Sequence, residues 1–247
     1  RNKAVLYATI TFFSSAPAAP LFAQDENQLL DVFSGNWAAF DTRFSVDDTP
    51  CNLSLAKDFA TEESTDWRKA DISENCKAPL QDPVVWRILD GMIYLRAESG
   101  ADIAKLGGDP NRLTGDFAAP PGAIVLERNE GSGAKAMLVA AITKHKCYYL
   151  GYQSVCAAPD ATAAPDLSDG EAAVQVLVTL NVRSQPRRAA ALIGTVPKDS
   201  NVVVNLCLTT SDGIWCRADF GGKTGWMAKS VVRQQEWPVI SFVNAKE

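Results

Sequence analysis

Cys51-Asn52-Leu53-Ser54-Leu55 alternates apolar and polar residues one by one. A period of two puts the apolar side chains on one face of a strand and the polar ones on the other. Met92-Ile93-Tyr94-Leu95-Arg96 and Ala123-Ile124-Val125-Leu126-Glu127 read as further strands. Between them stand the turn signals Asp90-Gly91, Ser99-Gly100, Gly107-Gly108-Asp109-Pro110 and Pro120-Pro121-Gly122. Short strands spaced roughly ten residues apart, with Gly and Pro between, predict an antiparallel barrel or sandwich. A short helix near Gln28–Phe33 is the one exception to the strand pattern.

Further along, Val174–Leu180, Ser200–Leu206, Ile214–Phe220 and Gly225–Ala228 read as strands of a second, smaller β-barrel. Residues 157–172, AAPDATAAPDLSDGEA, are rich in Ala, Pro and Asp and read as an extended, solvated linker. The expected order is an all-β chain with a first barrel over 24–130, then 131–156, a linker over 157–172, a second domain over 173–237 and a tail over 238–247. In 131–156, Met137–Ile142 and Cys147–Tyr152 suggest a hairpin closed by Cys147–Cys156, either extending the first barrel or standing as a small stalk.

The chain has 247 residues, a prior for two domains, and its 47% hydrophobic content supplies real cores. Six cysteines, Cys51, Cys76, Cys147, Cys156, Cys207 and Cys216, form three sequential pairs with no CxxC, which reads as disulfides in an oxidising compartment. The start agrees. Arg1-Asn2-Lys3, an apolar run Ala4–Phe13 and small residues to Ala23 predict a signal peptide over 1–23. That run is too short for a transmembrane span, so a periplasmic or secreted protein is expected. Charge is uneven: residues 24–130 carry 20 acidic and 10 basic side chains, whereas residues 173–237 carry 4 and 8. Such asymmetry points to separate partners for the two halves.

Several elements of the first domain occur together. They are Ser34-Gly35-Asn36-Trp37, the Cys51–Leu55 strand, Trp67-Arg68, Cys76, Pro83-Val84-Val85-Trp86-Arg87, Asp90-Gly91 with the apolar run to Leu95, Ser99-Gly100 and Ala104-Lys105-Leu106. In this order and spacing, over residues 29–128, they resemble the bacterial metalloprotease inhibitor family of the alkaline-proteinase-inhibitor type. The resemblance implies a lipocalin-like eight-stranded antiparallel β-barrel with a Cys51–Cys76 disulfide. It also implies an N-terminal trunk that enters the cleft of an extracytoplasmic zinc metalloprotease of the serralysin type. By position the trunk is Gln24, Asp25, Glu26, Asn27, Gln28 and Leu29, ending at Leu30. It is acidic and amide-rich, where the better-known inhibitors place small hydroxyl residues at the tip. An extended trunk can pair with the edge of a protease cleft as substrate does, and a polar group at the zinc displaces its water. Trp37 and Trp86 read as core anchors of the barrel.

In the second domain, Leu180-Asn181-Val182-Arg183-Ser184-Gln185-Pro186 is followed by Leu192-Ile193-Gly194-Thr195-Val196 and later by Gly222-Lys223-Thr224-Gly225-Trp226. These resemble a bacterial SH3 (SH3b) domain, departing from it at Gln185, where Gly is usual. The resemblance implies a small SH3-like β-barrel that binds peptidoglycan or another envelope component. The basic excess suits an anionic polymer, and Arg183, Arg187, Arg188 and Trp215 are the candidate contacts. Trp226 reads as barrel packing, and Cys207 and Cys216 as a staple across a turn containing Asp212-Gly213.

Catalysis is not expected. His145 is the one histidine, flanked by Lys144 and Lys146, whose charges oppose its protonation, and the Cys147–Cys156 pairing removes the thiol it would need. His145, Cys147 and Cys156 lack a fourth zinc ligand. No phosphate-loop or dinucleotide fingerprint occurs, so no cofactor or metal is expected, and net acidity argues against nucleic acid.

Overall fold

A computed structural model of the chain describes residues 26–128 and 131–245. The first domain is an up-and-down barrel of eight antiparallel strands: β1 (Gly35–Ala39), β2 (Cys51–Phe59), β3 (Arg68–Ile72), β4 (Pro83–Leu89), β5 (Met92–Ala97), β6 (Asp102–Gly108), β7 (Arg112–Phe117) and β8 (Ala123–Arg128). It closes where Trp37 and Ala38 of β1 pair with Arg128 and Glu127 of β8. The alternation of β2 works as its sequence implies: Cys51, Leu53 and Leu55 point inward and are at most 1% exposed. Trp37, Trp86, Ile93, Leu95, Leu106, Leu113 and Ile124 fill the rest of the interior, so the barrel is a packed core. Both indoles find acceptors, Trp37 Nε1 at Phe33 O (2.8 Å) and Trp86 Nε1 at Ala56 O (2.9 Å). Cys51 is bonded to Cys76.

A helix, α1 (Glu26–Phe33), precedes β1 and buries Leu30 and Phe33 in the barrel core. Arg128 fixes it by donating to Val32 O and Ser34 O while stacking 4.0 Å over Trp37. The extended conformation expected of the trunk differs here. Glu26, Asn27, Gln28 and Leu29 are helical rather than extended, because Leu29, Leu30 and Phe33 gain more by packing on the barrel than by remaining in solvent. Gln24 and Asp25, like the expected signal peptide, lie outside the described residues.

Residues 131–156 form no hairpin. They make a helix, α2 (Gly133–His145), followed by a disulfide-closed loop, Cys147–Cys156, that holds a two-residue strand, β9 (Tyr149–Leu150). The alanine-rich sequence favours helix. Ser132 caps its first turn by accepting from the Lys135 amide, and Lys144 and His145 sit at its negative end. After a short helix, α3 (Pro159–Thr162), come β10 (Ala172–Val176), β11 (Leu180–Arg183), β12 (Leu192–Val196), β13 (Asn201–Thr210), β14 (Gly213–Phe220), β15 (Lys223–Ala228), β16 (Ser230–Arg233), β17 (Trp237–Ile240) and β18 (Phe242–Asn244). Seven of these order as β12-β11-β15-β14-β13-β10-β18, and β16-β17-β9 form a second sheet. The run expected as one strand, Val174–Leu180, is therefore two, β10 and β11. Cys207 and Cys216 are cross-strand partners joined by a disulfide. The expected tail is structural as well: β18 pairs with β10, and Phe242 is fully buried. The linker is also less free than its composition suggests, since Pro165 is buried and Leu167 packs on the second core.

The two domains share a core. Ala123 and Val125, on the outer face of β8, pack with Leu208, Trp215, Trp226 and Ala228. Trp226 thus packs against the first barrel as well as its own sheet. Beside this apolar patch, Arg112 of β7 donates to Glu127 Oε1 at 3.1 and 2.6 Å, to Pro186 O at 2.9 Å and to Asp212 Oδ1. Glu127 also accepts from the Ser211 amide and hydroxyl. Arg112, Glu127 and Asp212 are all under 5% exposed. Burial pushes the Arg112 guanidinium down, but Asp212 and Glu127 outweigh it and hold its pKa above the ordinary arginine value. For Asp212, burial pushes up and is outweighed by Arg112 and Arg188, which leave its carboxyl below the ordinary value. At the rim, Asp41 accepts from the Thr209 amide (2.9 Å) and Arg43 donates to Cys207 O (2.9 Å). The acidic barrel and basic second domain therefore meet each other.

Candidate ligand-binding site

Arg183 ends β11, Arg188 lies in the loop before β12, Trp215 is in β14 and Arg233 ends β16. The chain brings all four to one cavity of about 320 Å³, floored by Val178, Leu180 and Val231. Among the described residues lining it there is no carboxylate. Arg183 Nη1 donates to Ala190 O at 2.8 Å. Burial, and then the like charge of Arg188, holds its pKa below the ordinary arginine value. Arg188 donates to Asp212 Oδ2 (2.8 Å) and Ser230 O (3.1 Å), with its guanidinium carbon 5.4 Å from the Trp215 ring centre. Two donors are buried without an acceptor, Trp215 Nε1 and Arg233 Nη1. Both are closed off from solvent, so their cost is borne by the packing around them.

Of the residues the sequence singled out for envelope contact, Arg183, Arg188 and Trp215 come together here. Arg187 does not. It bonds Asp109 of the barrel at 2.7 Å and Gln185 at 2.9 Å, because the loop that carries both arginines runs along the domain interface. Trp215, at 1% exposure, is a wall of the cavity and part of the shared core rather than an open platform. Sequence reasoning missed Arg233, whose position at the end of a short strand carries no motif. It also missed Asp212, which it took only as a turn residue.

Arg233 is shared with a second, larger cleft of about 730 Å³ between the Cys147–Cys156 loop and the β16–β17 turn. Its guanidinium carbon stacks 4.4 Å from the Tyr152 ring centre. Behind the cleft, His145 lies 4.4 Å from Trp237 and 5.5 Å from Tyr149, and its Nδ1 is 3.2 Å from the Tyr149 hydroxyl. His145 thus packs in an aromatic stack, two residues from the disulfide-bonded Cys147.

Residues 178–233, from just before β11 to the end of β16, match the bacterial SH3 domain family. The match spans the arginine cavity and stops short of Tyr149, Tyr152 and Trp237. No curated protein matches the chain. Three disulfides together with an SH3b domain fit an extracytoplasmic location.

Proposed function

We propose that this is an exported, non-catalytic cell-envelope binding protein whose SH3b domain captures anionic groups of peptidoglycan in the Arg183–Arg188–Arg233 cavity. The observation that carries this is the convergence of the Arg183, Arg188 and Arg233 guanidinium-bearing side chains on one cavity with no carboxylate among its described lining residues. A ligand carboxylate would meet a guanidinium fork in its preferred bidentate geometry. The barrel acts as a rigid support that holds the arginine loop. Titration calorimetry with a soluble acidic muropeptide tests the reading. Binding to the acidic form, lost when its carboxylates are amidated, is expected. Equal affinity for both forms would overturn it.

A second reading keeps the first domain as a periplasmic inhibitor of a serralysin-type zinc metalloprotease. The closed eight-stranded barrel with its Cys51–Cys76 bond favours it, since the family resemblance implies both. Because α1 is anchored by Leu30 and Phe33, only the residues ahead of that anchor could reach a protease. Deleting 24–27 should abolish inhibition of such a protease and leave muropeptide binding intact. Inhibition that survives the deletion would rule this mechanism out.

A further inference from the structure

The cleft on the far side of Arg233 has the makings of a second site. Its volume of about 730 Å³ lies within the 300–1,000 Å³ range usual for small-molecule sites. Two large aromatic side chains stay open at it, Tyr152 at 59% and Trp237 at 39% exposure. They are not loose. Trp237 leans on His145 and meets Tyr149 edge-on at 5.5 Å, and Tyr152 is held under Arg233. The loop carrying Tyr152 is tied by Cys147–Cys156 and by Gly151, whose amide donates to Ile240 O at 3.0 Å. A side chain at Gly151 would meet Leu177, and its φ of +60° suits glycine.

The opposite rim is strained. Gln234 and Gln235 both adopt left-handed backbone, φ +51° and +59°, where glycine or asparagine would cost less. Non-glycine residues held there cluster at binding sites, where the surrounding structure enforces them. Gln234 lines the cleft together with Gln153 and Ser154.

We infer that this cleft binds a saccharide chain. The C–H face of a pyranose ring is weakly positive and suits the negative face of an indole or phenol ring. Sugar hydroxyls both donate and accept, which suits side-chain amides and a serine hydroxyl, groups that also do both. A proline-rich strand would also stack on aromatic rings, yet it offers mainly carbonyl acceptors and would leave the acceptor side of the two glutamines and the serine unmatched. The site stands apart from the arginine cavity except at Arg233, so its ligand is not required to be the same molecule.

The test is tryptophan fluorescence of the full chain titrated with the N-acetylglucosamine tetramer and, separately, the galacturonate tetramer. A saturable change with either supports the inference. A preference for galacturonate would assign Arg233 a carboxylate contact within the same site. Trp237→Ala and Tyr152→Ala should each weaken binding about tenfold or more by calorimetry, the variant at the more exposed Tyr152 with little change in melting. Gln234→Gly should raise the melting temperature yet weaken the sugar. Arg183→Ala should leave sugar binding unchanged while reducing muropeptide binding, which separates failure of this site from failure of the arginine cavity. No binding of either tetramer, undiminished binding in Trp237→Ala and Tyr152→Ala, or binding of a proline-rich decapeptide alone would overturn it.

Discussion

Arg112 of the barrel and Arg188 of the SH3b domain bind opposite oxygens of one carboxylate, that of Asp212. The same aspartate therefore closes the domain interface and aims a side chain of the ligand cavity. Breaking a buried pair by removing one partner leaves an uncompensated charge. Arg112→Ala should cost about 3–5 kcal/mol, measured by urea denaturation, with Glu127→Ala far from additive to it because the two share a network. A loss under about 1 kcal/mol would mean the network is not closed as described.

A shared core also predicts a single unfolding event. Ala123 and Val125 bury against Trp215 and Trp226, so the barrel cannot unfold without exposing these tryptophans, nor the second domain without exposing the apolar face of β8. Scanning calorimetry should give one transition with calorimetric and van't Hoff enthalpies equal. Two separated peaks would mean the domains are merely tethered.

Lys229 sets a pH dependence. It is 2% exposed, with Nζ 3.1 Å from Phe242 O and above the Phe242 ring, and burial lowers its pKa to about 8, with Asp160 pulling slightly the other way. Below pH 8 both folded and unfolded chains carry the proton. Above it the folded lysine loses its proton while the unfolded one keeps it up to 10.5, so the unfolded state binds more protons and stability rises with pH. Thermal melts at pH 7–9.5 should show that rise, and Lys229→Met should be more stable at pH 7 and lose it. This window stops short of Tyr148, whose pKa is raised by burial and acts in the opposite sense.

The loop closed by Cys147–Cys156 holds the aromatic cleft. Replacing both cysteines with serine should lower stability by about 2–3 kcal/mol for a short loop and weaken sugar binding, with muropeptide binding retained. Unchanged sugar affinity in the paired variant would show that the loop needs no staple.

Much of the fold is legible in the chain because it is written locally. The β2 alternation and the Gly and Pro turns give an antiparallel barrel or sandwich, and the resemblance carried by Leu180–Pro186 and Gly222–Trp226 gives the SH3b unit. Helix α2 is not legible, since only Leu138 and Ala141 are buried and no apolar stripe forms. The interface left one readable trace. Ala123, Ile124, Val125 and Leu126 are all buried, so β8 is covered on both faces, and its unbroken apolar run says so. What covers it is set by partners about eighty or more residues away, and no local pattern encodes them. The aromatic cleft shares that fate: Arg183 sits in a motif, whereas Tyr152 and Trp237 come together beside Arg233 only when the Cys147–Cys156 loop docks beside β17.

The central claim is that the arginine cavity binds the envelope. Co-sedimentation with purified peptidoglycan sacculi tests it most directly, comparing the chain from Gln24 with its Arg183→Ala variant. The wild type should sediment with the sacculi, and the variant should need about tenfold more sacculi for the same bound fraction, with both proteins melting alike. Equal sedimentation of the two, or none by the wild type, would contradict it.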